Sequence, residues 1–264
     1  MFDIVYCIDK NFNKQAFLSI SSLLETHQTR FYNIYIIHKN PLSFYKYKRK
    51  LGRIFSMKNI KILKFRHKIK NYPNLKKSHV SEATYYRMFI GEYISNSKDF
   101  VIYIDADAYF VNNIEKKIEE VIKKMIKKNY LIGAKTEFDL IKNESPDIFK
   151  RLEMNHRYFN AGVMVINLKN WKYEKFSEKL IEQLNYIANK IIFWDQDVLN
   201  SLINGNFEEL PFELNYLVDI NFPENLSLNN VDIVHYAGKV KPWTKRGLSI
   251  NSNTYYNRLS KKYL

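Results

Sequence analysis

The sequence predicts an α/β domain built around a mainly parallel central sheet, and three observations predict it. Short continuous apolar runs, of the kind found in strands buried on both faces, recur along the chain. Helical patterns fill the intervals between them. Neither an internal repeat nor a low-complexity linker interrupts the alternation. Within this class a Rossmann-like, nucleotide-binding domain is the default expectation.

The elements follow in order. Strands are expected at Asp3 to Ile8, Asn33 to His38, Ile60 to Phe65, Phe100 to Ile104, Leu131 to Ala134, Ala161 to Asn167 and Asp232 to His235. Helices are expected at Lys14 to Glu25, Pro41 to Phe55, Thr84 to Tyr93, Ile114 to Lys128, Tyr173 to Ala188 and Asp195 to Ile203. Ile114, Ile118, Val121, Ile122 and Met125 form an apolar stripe at helical spacing, so the lysines between them read as a solvated helix face. At 264 residues the chain can bury a sizeable core. We expect one domain over residues 1–243, followed by a basic and aromatic tail over 244–264.

Forty-two Lys and Arg against 27 Asp and Glu give a formal charge of +15, which implies an anionic partner. Nucleic acid, a nucleotide and an acidic membrane face all satisfy that charge. In the tail, Tyr255-Tyr256-Asn257-Arg258-Leu259-Ser260-Lys261-Lys262-Tyr263 interleaves aromatic and basic residues. This suits docking at an anionic lipid surface and suits a packed C-terminal helix equally well. The chain opens directly on a strand-like run with no basic leader, and no apolar run is long enough to cross a bilayer. With Cys7 as the only cysteine no internal disulfide can form. The expected compartment is the cytoplasm, with peripheral contact at the inner face of the cell membrane as the tail's open alternative.

The chemistry starts at Asp105-Ala106-Asp107, which ends the apolar strand Phe100 to Ile104. Two Asp at i and i+2 can converge on one cation where a strand gives way to a turn, and without one they would repel. Carboxyl ends of parallel strands are also where ligands bind in α/β folds. None of the seven glycines belongs to a Gly-x-x-x-x-Gly-Lys or Gly-x-Gly-x-x-Gly loop, so phosphate would have to be held by metal and basic side chains. A second apolar run ends in His235-Tyr236-Ala237-Gly238-Lys239-Val240-Lys241-Pro242-Trp243. There His235 is a fitting third ligand, Gly238 permits close backbone approach, and Lys241 supplies a point charge for phosphate. Asn160-Ala161-Gly162 introduces a third apolar strand and places an amide at its mouth. In Asp195-Gln196-Asp197, Asp195 can cap a helix whose first turn holds the other two, although capping does not require Gln196.

Taken together, Asp105-Ala106-Asp107, Tyr158-Phe159-Asn160-Ala161-Gly162, Asp195-Gln196-Asp197 and His235-Tyr236-Ala237-Gly238-x-x-Lys241-Pro242-Trp243 resemble glycosyltransferase family 8. The similarity is strongest to the bacterial lipopolysaccharide α-galactosyl- and α-glucosyltransferases, and it extends from Asp3 to about Trp243. It includes Thr84 to Tyr93, which resembles the family's helix carrying a donor-binding arginine, here Arg87. The resemblance implies a GT-A fold, a UDP-sugar donor, a glycan acceptor, Mn²⁺ with Mg²⁺ as the alternative, and transfer with retention. It further implies Asp105, Asp107 and His235 as metal ligands, and Gly238 and Lys241 at the diphosphate. Asp9 and Asn11 match positions holding uridine and ribose, and Ala106 belongs with the donor contacts. Arg87, Asn160, Asp195 and Gln196 match positions around the transferred sugar, with Asp195 and Gln196 in the catalytic roles. The family's acidic donor contact falls at either Glu137 or Asp139, which leaves glucose and galactose both open.

The amide of Gln196 is a poor nucleophile, which favours attack from the leaving-group side over a double displacement. A metal-dependent nuclease would use similar acids and charge but would show further clustered acids or a nucleic-acid module, and neither occurs, so nucleic acid is not expected as a partner. A non-catalytic UDP-sugar-binding relative and a self-glycosylating initiator stay open.

Overall fold

The structure is a computed structural model that describes residues 2–27, 32–57, 59–68, 72, 73, 75, 81–94, 98–218, 230–244 and 250–264. Its strands are β1 (Phe2–Ile8), β2 (Tyr32–His38), β3 (Ile60–Lys64), β4 (Phe100–Ile104), β5 (Ala108–Phe110), β6 (Ile132–Asp139), β7 (Arg157–Asn167), β8 (Glu208–Glu209), β9 (Tyr216–Leu217) and β10 (Ile233–His235). Its helices are α1 (Asn13–Thr26), α2 (Tyr45–Phe55), α3 (Ile90–Tyr93), α4 (Glu115–Lys128), α5 (Pro146–Leu152), α6 (Leu168–Tyr173), α7 (Phe176–Tyr186), α8 (Trp194–Ile203) and α9 (Ile250–Tyr263).

The main sheet has seven strands in the order β3-β2-β1-β4-β7-β6-β8. All neighbours in it pair parallel except at β7, which runs against β4 and β6. The expected mainly parallel α/β sheet is therefore present, with one reversed strand beside its centre. Alternation along β1 separates two cores. Ile4, Tyr6 and Ile8 point into a cluster with α1, while Val5 and Cys7 point into another with α7 and α8.

A smaller sheet, β5-β10-β9, positions the site. The expected strand Asp232 to His235 belongs here and not in the main sheet. Its antiparallel register on β5 sets His235 opposite Ala108, and Tyr236 N donates to the carbonyl of Asp107 at 3.1 Å. Its partner β5, three residues long, is too short to announce itself by periodicity.

Three expectations change, and for the tail one of its two alternatives holds. Asn160 does not stand at a strand's mouth but in the middle of the eleven-residue β7. A polar residue breaks an apolar run in sequence, yet it is tolerated inside a sheet once its groups are bonded. The expected helix Thr84 to Tyr93 is a 3-10 helix over Glu82–Phe89 that becomes α-helical only in α3. Arg87 Nε takes the Thr84 carbonyl at 3.1 Å, a group that a continuing α-helix would use. The helix expected over Tyr173 to Ala188 is broken at Lys175, whose φ of 51° lets the rings of Trp171 and Phe176 meet edge-on at 4.6 Å. In the tail, α9 packs on α1 and buries Tyr255, Tyr256, Leu259 and Tyr263. The tail's aromatic residues thus face the core and not a lipid surface, while Arg258 and Lys262 pair with Glu25. Among the described residues no helix is long and apolar enough to cross a membrane.

Candidate active site

A cleft of about 590 Å³ opens at the carboxyl ends of β1 and β4, lined by residues from each of the four motifs that carry the family resemblance. Asp105, Ala106, Asp107, Arg87, Asn160, Asp195, Gln196, His235, Gly238 and Lys241 all contribute to its wall. Asp9 and Asn11 do not. They sit in the turn after β1, between the lining residues Ile8 and Phe12, where Asp9 Oδ1 accepts from Asn11 N at 2.8 Å.

One end of the cleft is acidic. Asp105, Asp107 and His235 each offer a ligand atom, all within 4.8 Å of one another. His235 Nε2 lies 3.4 Å from Asp107 Oδ1 and 3.9 Å from Asp105 Oδ2. Gly162 backs this cluster, and a β-carbon there would collide with both His235 and Asp105. Two hard carboxylates, one imidazole and a glycine that leaves them room fit a divalent cation. Lys241 Nζ reaches Asp107 Oδ2 at 2.5 Å and the Tyr236 carbonyl at 2.6 Å. Burial pushes the Asp107 pKa up, but Lys241 and His235 outweigh it and hold the carboxyl far below the usual range. Gly238 follows in the left-handed region, with φ 85°.

The other end is organised by Arg87, which is 6% exposed and whose nitrogens all have protein partners. Nε pairs with Asp195 Oδ2 at 2.8 Å, one Nη with Asp105 Oδ1 at 3.1 Å, and the other donates to the Ala161 carbonyl at 2.6 Å. Its guanidinium stacks 4.4 Å from the centre of the Tyr103 ring, and the Tyr103 hydroxyl donates to Asp105 Oδ1 at 2.5 Å. Arg87 therefore ties the acidic end to Asp195. Burial raises the Asp195 pKa to about 6, against the opposing pull of Arg87 and of the Thr84 hydroxyl that donates to it.

Asp195 does not cap α8, as its local sequence context led us to expect. It lies in the first turn, buried, and the backbone amides of Ile192 and Phe193 are taken instead by Asp197 Oδ2 at 2.7 and 2.9 Å. Trp194 begins the helix with φ 50°, a strained conformation for a bulky residue that turns Asp195 and Gln196 toward the cleft. Gln196 is held at both ends: Oε1 accepts from Ala161 N at 2.9 Å and Nε2 donates to Glu137 Oε2 at 3.0 Å.

Of the two acids left open, Glu137 enters the cleft and Asp139 does not. The β6 register slips between Thr136 and Phe138, so Glu137 is the unpaired bulge residue and points inward, while Asp139 accepts from Ile141 N in a turn. Burial raises the Glu137 pKa against the donors Asn160 and Gln196. Cys7 also lines the cleft, and burial raises its thiol pKa, which disfavours the thiolate. Sequence reasoning missed Tyr103, Thr84 and Asn215. Tyr103 was within reach, because a residue two before Asp105 on a strand shares its side.

A mainly parallel sheet with an acidic pair and an imidazole at its carboxyl edge is the arrangement of the GT-A fold. The structure matches that of galactosyltransferase LgtC in complex with donor and acceptor sugar analogues with a TM-score of 0.79, over 99% of this chain and 96% of that one at 20% identity. It matches GlyE of Streptococcus pneumoniae TIGR4 with a TM-score of 0.71, over 98% and 60% of the two chains at 19% identity. The chain belongs to glycosyltransferase family 8, whose family model matches residues 3–247. Among curated proteins it is 28% identical to a lipopolysaccharide 1,2-glucosyltransferase of Escherichia coli over 92% of this chain and 73% of that one. It is also 28% identical to the lipopolysaccharide 1,3-galactosyltransferase of Salmonella typhimurium LT2, over 93% and 74%. A putative glycosyltransferase of Haemophilus influenzae Rd is 32% identical over 66% of this chain, and the match spans 52% of that protein's length.

Proposed function

We propose that the protein is a retaining glycosyltransferase that moves glucose or galactose from a UDP-sugar to a glycan acceptor, forming an α-linkage. One observation carries this reading. The acidic cluster, the phosphate-suited Lys241 and the sugar-side pair Asp195-Gln196 line one cleft at the strand ends, connected by Arg87. The lipopolysaccharide glucosyl- and galactosyltransferases among its relatives point to the same substrate class.

In this reading Asp105, Asp107 and His235 hold Mn²⁺, or Mg²⁺, with the imidazole favouring Mn²⁺. The chemistry a divalent cation would supply there is neutralisation of the diphosphate leaving group's charge. Lys241 lies on Asp107 and shares that work from the protein side, while Gly238 gives the diphosphate close access to backbone. Asp9 and Asn11, in the turn beside the cleft, take uridine and its ribose, and Ala106 belongs with the donor contacts. Arg87, Asn160 and Asp195 order the sugar side, and ionised Asp195 stabilises positive charge at the sugar ring. Gln196 does not act as a nucleophile, since its amide is weakly nucleophilic and both ends are engaged. The acceptor hydroxyl attacks from the leaving-group face and passes its proton to the departing phosphate oxygen.

The test is a donor screen that reads UDP release with and without Mn²⁺. UDP release from UDP-glucose or UDP-galactose, dependent on Mn²⁺ and abolished in Asp107→Ala, is the expected result. Absence of UDP binding in calorimetry with Mn²⁺ present would sink the proposal.

A further inference from the structure

We propose that Asn215 is a positioning residue that fixes the tautomer of His235 and so aims its Nε2 lone pair at the metal position; the proposal rests on the metal reading given above. Asn215 ends a short 3-10 turn and is 2% exposed, with no place in the cleft wall. Its side chain has two partners. Oδ1 lies 2.9 Å from His235 Nδ1, and Nδ2 donates to Asn160 Oδ1 at 3.1 Å.

The polarity of this chain is fixed from one end. The Gly162 backbone N–H can only donate, and it donates to Asn160 Oδ1 at 3.0 Å. Asn160 therefore turns its amide nitrogen to Glu137 Oε2, 3.1 Å away, an orientation that the carboxylate also demands. Because Asn160 Oδ1 is the acceptor, Asn215 must present its nitrogen to it and its oxygen to His235. Nδ1 of His235 then carries a hydrogen, and Nε2 is the atom left for a ligand bond. Flipping Asn160 would set its nitrogen against the Gly162 N–H and its oxygen against the Glu137 carboxylate, and flipping Asn215 would set two amide oxygens face to face, each leaving polar groups of this site unsatisfied. Hydrogen bonds of this kind at the far nitrogen are what orient ligating histidines and raise their basicity.

The same chain extends past Asn160 through Glu137 to Gln196, so the imidazole at the acidic end and the amide at the sugar end share one polar network. Asn215 is the member of this network outside the cleft wall, and it reaches the site only through His235 and Asn160.

The experiment measures Mn²⁺ affinity by titration in the presence of UDP, and the His235 tautomer by long-range ¹H–¹⁵N spectra of the metal-free and Mg²⁺-loaded protein. Asn215→Ala should weaken Mn²⁺ at least about tenfold. Asn215→Asp, which keeps an oxygen toward His235, should recover part of that loss. The wild-type spectrum should show hydrogen on Nδ1. Mn²⁺ affinity within twofold of wild type in a folded Asn215→Ala, or a wild-type His235 with hydrogen only on Nε2, would overturn the proposal. If Asn215→Ala does not fold, the wild-type tautomer and the Asn215→Asp titration decide it. If the wild type binds no Mn²⁺, the metal reading falls, and the metal-free spectrum still decides the tautomer separately.

Discussion

Gly162 lies so close under His235 that a β-carbon added to it would fall 2.1 Å from the ring's Cε1 and 2.9 Å from Asp105 Oδ2. The contact follows from register, since β7 runs antiparallel to β4 and the Gly162 carbonyl accepts from Asp105 N at 2.7 Å. Real β-carbons do not sit at such distances, so a side chain at this position must push the imidazole out of the cluster. Gly162→Ala should therefore weaken Mn²⁺ binding by about 100-fold or more, by displacing a ligand outright, and should lower stability by about 1–3 kcal/mol through overpacking. Mn²⁺ titration and urea unfolding of the same variant measure the two effects. Wild-type Mn²⁺ affinity in that variant would show that His235 does not complete the metal position.

Asp195 makes the stability of the protein depend on pH. Its pKa is raised from 3.8 to about 6 in the folded state, chiefly by burial. A group whose folded pKa is raised stabilises the fold fully below its unfolded pKa, and that contribution disappears as pH rises through the folded value. Between about pH 4 and pH 7 the wild type should lose about 3 kcal/mol relative to Asp195→Asn, which cannot ionise. Urea unfolding of both proteins across this range tests it, and parallel pH curves would refute it.

Seven of the ten strands described were legible because each carries a continuous apolar run, which needs no partner to be recognised, whereas β5, β8 and β9 are two or three residues long and were not. Residues whose burial depends on distant partners were less so. Asp195 looked like a helix cap because its neighbours are local, whereas the groups that hold it, Thr84 and Arg87, lie more than a hundred positions away. Asn160 looked like the end of a strand because nothing in the sequence shows that Gly162 N, Asn215 and Glu137 satisfy its amide. The pairing of Asp107 with His235 depends on the register of β5 against β10, and three residues carry no period. Glu137 and Asp139 could not be separated, because a bulge, which sequence alternation cannot place, turns one of them inward.

The C-terminal helix should behave as part of the core. Leu259 is fully buried between α1 and neighbouring aromatic residues, and the Tyr255 hydroxyl donates to the carbonyl of Phe110 in β5, the strand that sets the His235 register. Leu259→Ala should cost about 2–4 kcal/mol, as large-to-small core changes do. Lys261→Glu, on the exposed face of the same helix, should stay within about 0.5 kcal/mol. Equal, small effects from both substitutions would mean that α9 is not docked in solution.

Gln196 decides between the two routes to retention. A double displacement needs a side chain that attacks the sugar and carries it, and α8 lines the cleft with the Trp194 ring, the Asp195 carboxyl and this amide. Its oxygen already accepts from Ala161 N, and its nitrogen is fixed on Glu137, so swinging Oε1 toward a sugar would leave a backbone N–H without its partner and take one of two amide donors from the Glu137 carboxyl. Those bonds suit a group that shapes the sugar side of the cleft and does not join it. Under same-face attack, Gln196→Ala should keep donor affinity within a few-fold and slow turnover by about 10–100-fold through loss of positioning. Wild-type protein incubated with donor should gain no hexose mass on Gln196. Complete loss of turnover with donor binding intact, or a hexose adduct trapped on Gln196, would replace same-face attack with a double displacement.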